Sequence, residues 1–382
     1  MKRIKVHVLY EHGSDQRPFG AAQIRLLRPL THPAIRDRME MTAGLEYAGQ
    51  AVDAVIVDRL WRSDVSRVLV ERLADDVRRV GARLIYSIDD NLLDLAAESK
   101  DWRPTDEQLR VLGFLLRQAD GVMVATPALR ERLEDYNRNI VVVPNALDER
   151  LMGSARSDPS WTPTVAWGHK GIAQIRTLLR QALHGTPSAP LASARRVVVG
   201  YMGTHTHDVD LLMVLPALLE VWRRHRGQIE FQMIGVIAHQ ETREKLRGLP
   251  VQFVTPPPGG SDYLRFMPWF TAQLRWDIAI APLQDTPFSR CKSDIKFLDY
   301  SAIGAAGIFS RGPAYESSVR HLQTGWLAEN DVDAWSEALE RLLSDEGLRR
   351  QLSANASRYL YSERILARTA FCWSEAIGRL ME

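Results

Sequence analysis

Trp276 to Ser310 reads WDIAIAPLQDTPFSRCKSDIKFLDYSAIGAAGIFS, and its punctuation decides the fold class. The apolar run Ile278 to Ala281 predicts a short buried strand. A loop with Pro282 and Pro287 follows, then the polar step Ser289-Arg290-Cys291-Lys292-Ser293, then a helical pattern closed by Gly304. A second apolar run, Ala305 to Phe309, completes strand, loop, helix, strand. That is a βαβ unit, and open α/β sheets bind ligands where a strand hands over to its helix. Arg290, Lys292 and Ser293 fall at this handover, with Lys296 one turn on and Asp299 beyond it. Offsets of three, four and seven put positions 292, 296, 299 and 303 on one helical face. A helix N-terminus offers free N–H groups and a partial positive charge to a phosphate, and two lysines and an arginine deepen that anion site. Asp299 can accept hydrogen bonds from a sugar or ribose hydroxyl. The blander alternative is a solvated helix with a Lys296–Asp299 pair worth a few tenths of a kcal/mol. Only seven of the 49 basic residues are lysine, and two lie four residues apart here, which favours the anion site.

The chain has 382 residues, and single cores rarely grow past roughly 250–300, so two domains are expected. A net charge of +2 gives no global reason to expect nucleic acid as a partner. Cys291 and Cys372 are the only cysteines, too few for a disulfide framework, which fits a cytoplasmic setting. The first apolar run is short and meets Glu11 and His12, so it predicts a strand, not a signal peptide. No stretch approaches the ~20 apolar residues of a membrane span.

The first half alternates in the same way. Strands are expected at 4–9, 54–57, 83–88, 121–124 and 140–143, with helices at 21–30, 65–80, 105–118 and 127–136 between them. Repeated βα units imply a parallel, doubly wound sheet. From about 150 to 195 the chain turns irregular and proline-rich, with one helix expected at 172–182. A second series starts at Arg196, with strands at 197–202, 229–234, 251–254, 278–281, 307–310 and 325–327. The expected organisation is an N-terminal domain over 1–150, an inter-domain segment over 151–195 and a C-terminal domain over 196–362. A last helix, 363–382, follows.

Three further constellations carry chemistry. Gly203 ends the first strand of the second half, and Thr204 and His207 lie in the turn before a helix. This turn suits a phosphate as well as an ordinary helix cap, and it lacks the GxGxxG dinucleotide spacing. His205 and His207 are two apart and share no helical face, so a zinc pair is disfavoured. Asp89 and Asp90 follow the strand 83–88. They read as carboxylates that orient a sugar hydroxyl or take its proton, as a divalent-metal site, or as a helix cap. Gly20 permits close approach after the first strand, while Arg25 and Arg28 beyond it suit either the cleft or solvent. The run Trp222-Arg223-Arg224-His225-Arg226 suits an anionic membrane surface or the cationic end of a helix.

With these motifs in place, the chain resembles a GT-B glycosyltransferase of the large retaining family 4 type. The resemblance covers most of the chain. It is carried by Val122–Thr126 with Val141–Asp148, by Gly203-Thr204 with His207, by Lys292-Ser293-x-x-Lys296-x-x-Asp299-Tyr300, and by Trp326 to Tyr359. It implies an α/β fold of two Rossmann-like doubly wound domains facing a central cleft, with the last helix crossing back to the first domain. It implies a hexosyl- or deoxyhexosyl-transferase of bacterial surface polysaccharide, such as O-antigen or capsule. The partners would be a nucleotide-diphospho-sugar donor and a glycan or lipid-linked acceptor, met in the cytoplasm at the inner face of the membrane. Lys292, Lys296 and Asp90 would be catalytic. Gly203, Thr204, His207, Arg290, Ser293 and Asp299 would bind donor, and Gly20 and Asp89 acceptor. No metal or other cofactor is expected. The chain also departs from the family. Asp299 stands where a glutamate is usual, Cys291 stands eight residues earlier in place of another acid, and the turn after Gly203 lacks the usual Arg and Lys. Those departures keep an inactive partner subunit open as an alternative. A GT-B nucleotide-sugar epimerase is a second one.

Overall fold

The computed structural model describes residues 3–98, 103–153, 195–203, 207–235, 240–260 and 262–382. The helix expected at 172–182, and Thr204 and His205, lie outside them. Among the described residues, twelve strands form two parallel sheets of six. The first holds β1 (Ile4–Leu9), β2 (Met39–Gly44), β3 (Ala54–Asp58), β4 (Arg83–Ile88), β5 (Gly121–Val124) and β6 (Ile140–Val142), in the order β2-β1-β3-β4-β5-β6. The second holds β7 (Val197–Met202), β8 (Ile229–Ile234), β9 (Val251–Val254), β10 (Ile278–Ala281), β11 (Ala306–Ser310) and β12 (Trp326–Ala328), in the order β12-β11-β10-β7-β8-β9.

The central strands are apolar throughout because helices cover both faces. Every residue of β3, β10 and β11 is buried. The sequence reading missed β2. Its residues Met-Glu-Met-Thr-Ala-Gly lie on an edge, half exposed, and show neither a continuous apolar run nor a clean alternation. In each sheet the strand order reverses once, between β1 and β3 and between β7 and β10. The crevices outside the carboxyl ends of those strands are where such sheets take ligands.

The two halves are tied by paired crossings. Leu147 N–H donates to Arg364 O, and Leu366 N–H donates to Leu147 O, both at 2.9 Å. After this crossing the helix Leu366–Met381 packs against the first sheet. Trp373, Ile377 and Leu380 join Leu26, Leu30, Ile35 and Val143 in one apolar cluster. The last helix, expected over 363–382, runs from Leu366 to Met381, and the helix before it, Glu346–Glu363, ends at Arg364 where the chain changes domain.

Gly235 explains how closely β7 and β8 end together. It adopts φ +100°, and a Cβ there would lie 1.6 Å from the Gly203 carbonyl oxygen. Only glycine fits, so the floor of the cleft at Gly203 is set by backbone against backbone.

Candidate functional site

The N-terminal wall of the cleft begins at the β1/β3 switch. Asp58 closes β3 and is buried, and its Oδ2 accepts the Glu11 N–H at 3.1 Å. Arg59 follows in the left-handed region (φ +48°), an uncommon conformation for a residue with a side chain. Its Nε approaches Glu11 Oε2 at 3.0 Å, and its Nη1 lies 3.5 Å from both Asp89 Oδ1 and Asp90 Oδ2. One guanidinium thus gathers three carboxylates from the ends of β1 and β4. Burial, opposed by Arg59, raises Glu11 and Asp89 above the usual carboxylate range. Burial also acts to raise Asp90, but Lys292 and Arg59 outweigh it and hold Asp90 low. Of the alternatives for Asp89 and Asp90, the helix cap is excluded. Asn91 takes that place, and its Oδ1 accepts the Asp94 N–H.

Asp58 yields a pH prediction. Burial, reinforced by Glu11 and Asp89, pushes its carboxyl up to about 8 from an ordinary 3.8. The folded protein therefore keeps a proton that the unfolded chain releases near pH 4. Stability from this group is lost as pH rises from about 4 to about 8 and is level above that. Asp58→Asn keeps an acceptor for the Glu11 N–H and removes the titration. The variant should melt above the wild type at about pH 8, with the gap narrowing toward about pH 5. Thermal melts across that range check it. Equal gaps at both ends would contradict it.

The opposite wall comes from the second sheet. The helix expected from Asp294 starts at Ile295 and runs to Ala302. Lys292 therefore precedes the helix instead of sharing its face. It still reaches the cleft, with Nζ 3.3 Å from Asp90 Oδ1 and 4.4 Å from the Phe288 ring centre. Asp294, just before the helix, is held by Arg364 through two bonds of 2.7 and 2.9 Å. Lys296 lies over the Tyr201 ring at 5.3 Å, and burial lowers its ammonium to about 8. Asp299, one turn on, is buried with Oδ1 unpartnered, and burial raises it to about 7. Ser293 Oγ accepts from Asn145 Nδ2 at 2.9 Å, so one side-chain bond crosses the cleft floor.

Two adjoining cavities fill the space between the walls. The larger, about 710 Å³, is mostly apolar, with Gly20, Gly203, Tyr263, Phe266, Lys296 and Asp299 among its lining. The smaller, about 220 Å³, is mixed and more polar than the first, with Arg59, Asp89, Asp90, Lys292, Ser293 and Lys296 among its lining. His207, Ile295 and Lys296 line both. Gly20, Gly203, Asp89, Asp90, Lys292, Ser293, Lys296, Asp299 and His207 are thus brought together. Arg290 is not. It is half exposed and paired with Asp285 at 2.6 and 2.9 Å, outside both cavities, because the short helix Pro287–Arg290 turns it back along its own loop.

Cys291 is also absent from the cleft. It is buried among core residues of the first domain, Thr126 Oγ1 donates to its carbonyl at 2.9 Å, and the Asn91 amide lies 3.6 Å from its sulfur. Arg25 and Arg28 are not solvated. Arg25 is fully buried beneath the cleft, where it holds the Val143 carbonyl and Asn145 Oδ1, and Arg28 pairs with Asp148. Arg59, Glu11, Asp58 and Asp210 went unnoticed in the sequence. The available signal was Asp58-Arg59 at the carboxyl end of an apolar strand, as Asp89 and Asp90 lie at the carboxyl end of β4. Among the described residues His32, Asp148 and Glu149 could bring ligand atoms together for a metal ion. Asp148 is already paired with Arg28 and Arg150, and His32 Nε2 lies 2.8 Å from Glu149 Oε1. In the run at 222–226, Arg226 stacks on Trp222 and Arg224 pairs with Glu220 and Glu340. No described helix is long and apolar enough to cross a membrane.

Two six-stranded parallel sheets facing one cleft, with a C-terminal helix returned to the first, recur in solved structures. Anabaena HepE in complex with UDP-glucose matches with a TM-score of 0.64 at 14% identity, over 98% of this chain and 100% of its own. This is the GT-B fold. Sucrose-phosphate synthase from Thermosynechococcus elongatus matches at 0.63 and 14% identity, over 99% of each chain. A Rickettsia africae glycosyltransferase matches at 0.60 and 12% identity, over 100% of this chain and 99% of its own. No protein-family model matches the sequence, and no curated protein matches it. In GT-B terms the candidate site is the inter-domain cleft, with Lys292, Lys296 and Asp299 on the second domain and Arg59, Asp89 and Asp90 on the first.

Proposed function

We propose that this chain is a retaining glycosyltransferase that moves a sugar from a nucleotide-diphospho-sugar to a glycan or lipid-linked acceptor. One observation carries the reading. Lys296 is a partly buried ammonium that lines both an apolar cavity and a more polar one, a place suited to an anion joining two unlike groups. A nucleotide sugar has that form: a flat base and ribose, a diphosphate, then a hydroxyl-rich ring. The base and ribose would take the 710 Å³ cavity, with Asp299 on the ribose, and the ring would take the 220 Å³ cavity.

The diphosphate would meet Lys296, Lys292, Ser293, the N-terminus of the helix Ile295–Ala302 and the turn at Gly203. These groups would stabilise charge on the leaving diphosphate, with protein cations taking the part a metal ion plays elsewhere. Asp90 lies at the far end of the Lys292 bond and would face the sugar, while Asp89 and Gly20 would face the acceptor. Retention follows from the resemblance to family 4 enzymes, and so does a role in surface polysaccharide at the inner membrane face. Three structures of HepE hold UDP and glucose, UDP-glucose or UDP, and a molecule of that class would suit this cleft.

The partner-subunit alternative draws on Cys291 and Asp299. It loses support here because Cys291 does not face the cleft and Asp299 does. The test is nucleoside diphosphate release from a panel of UDP-, GDP- and dTDP-sugars, with and without lipid-linked acceptor. Release with one donor, accelerated by acceptor, is expected. Interconversion of the donor sugar without acceptor would mean an epimerase, and no reaction with any donor would favour the inactive subunit.

A further inference from the structure

The donor cleft contains a histidine with a job that neither lysine can do. His207 stands at the N-cap position of the helix Asp208–Arg224, without a side-chain cap bond, and lines both cavities. Its Nδ1 lies 2.7 Å from Asp210 Oδ2, and the other Asp210 oxygen accepts the Gln284 N–H at 2.8 Å. An ionised carboxylate only accepts, so Nδ1 carries the hydrogen. A neutral ring in this pose keeps its lone pair on Nε2, and a lone pair repels a phosphate oxygen. A protonated ring donates Nε2–H to the same oxygen.

We propose that His207 is a proton-acquiring diphosphate ligand, neutral in the empty cleft and taking up one proton when a nucleotide-linked diphosphate settles beside Lys296. This inference rests on the donor-site reading above.

The surroundings fix both states. In the empty cleft, the Lys296 charge and burial, with Lys292 adding, hold the imidazole down at about 4. Asp210 alone opposes them strongly from its own helix. Tyr201, whose hydroxyl donates to the His207 carbonyl, faces it from β7, and Lys296 and Asp299 face it from the helix Ile295–Ala302. Arg59, Asp89, Asp90 and Tyr315 complete the polar cavity. Arg59 and Lys292 pair with the two aspartates across the cleft, and the Lys296 charge is the largest influence at the ring. A diphosphate reverses that field. It brings two negative charges to the lysines that had excluded a third cation, and Asp210 is already placed to stabilise an imidazolium. The proton comes from solvent, and no bond to the sugar changes in this step. The imidazolium then adds a cation where negative charge grows as the sugar departs.

Calorimetric titration of the protein with UDP-glucose, GDP-mannose and dTDP-glucose tests this at about pH 6. The diphosphates of these donors carry no titrating proton there. Each titration is run in MES and in Bis-Tris, whose ionisation enthalpies differ, and the difference in heat counts protons. About one proton taken up per donor bound is expected in the wild type and close to none in His207→Gln. Nitrogen NMR of the histidine rings in the wild type reads the same event without a variant, as His207 passing from a neutral to a protonated ring on donor binding. Donor binding with no proton uptake would overturn the proposal and leave His207 as an acceptor for a donor hydroxyl. Uptake of equal size in His207→Gln would overturn it too. Binding of none of the three donors would instead contradict the donor-site reading, and this inference would go with it.

Discussion

Lys296→Met leaves the protein folded and costs at least about 100-fold in turnover of the nucleotide-sugar donor. The first half of that expectation comes from burial. The side chain is partly buried, and burial lowers its ammonium to about 8, so the empty cleft holds this charge at a cost. Methionine fills similar volume with no charge to desolvate, and volume-conserving core replacements usually cost under about 1.5 kcal/mol. The second half comes from position. Lys296 is shared by both cavities, so an anion that bridges them cannot avoid it. Removing one preorganised donor from a developing negative charge costs about 10²–10³ in rate. Melting temperature and steady-state kinetics on the same sample separate the halves. An unchanged kcat/KM in a folded variant would remove Lys296 from the site.

Trp373→Ala should cost about 3–5 kcal/mol of stability, the range for deleting a buried aromatic side chain. Trp373 lies on the returning helix and is fully buried in the cluster that joins this helix to the first sheet. Its Nε1–H donates to the Arg25 carbonyl at 2.6 Å, and the Arg25 guanidinium lies 6.0 Å from its ring. Arg25 in turn holds Val143 O and Asn145 Oδ1, and Asn145 reaches Ser293 across the cleft. The substitution therefore empties a core site and loosens the chain of contacts under the donor cleft. Urea unfolding gives the value from the shift in midpoint. A cost under about 1 kcal/mol would mean that the helix is held elsewhere.

Most strands were legible because a strand buried on both faces has no polar positions to confuse its reading, as in Ala-Val-Ile-Val of β3 and Ile-Ala-Ile-Ala of β10. Edge strand β2 was not legible, since its solvent side carries Glu40 and Thr42 and its apolar residues come singly. In the candidate site, Lys292 and Lys296 could be found because lysine is scarce and both follow one strand. The Arg59 cluster could not. Glu11, Arg59 and Asp89 lie at the ends of three strands, and only the sheet order β1-β3-β4 brings the two carboxylates to one guanidinium. Arg290 was misplaced because helical spacing says nothing of a competing partner, and Asp285, five residues back, takes it first. Arg25 was open to a solvated reading because its burial depends on the helix Leu366–Met381, which arrives from the far end of the chain.

The central claim is that Lys296 and its neighbours hold a nucleotide-linked diphosphate between the two domains. Melting curves of the wild type with UDP, GDP, dTDP or CMP at millimolar concentration test it most directly, because a ligand that binds only the folded state raises the midpoint. The account predicts a rise with one of the three diphosphates, none with the monophosphate CMP, and loss of that rise in Lys296→Met. No rise with any diphosphate, or an equal rise in Lys296→Met, would contradict it.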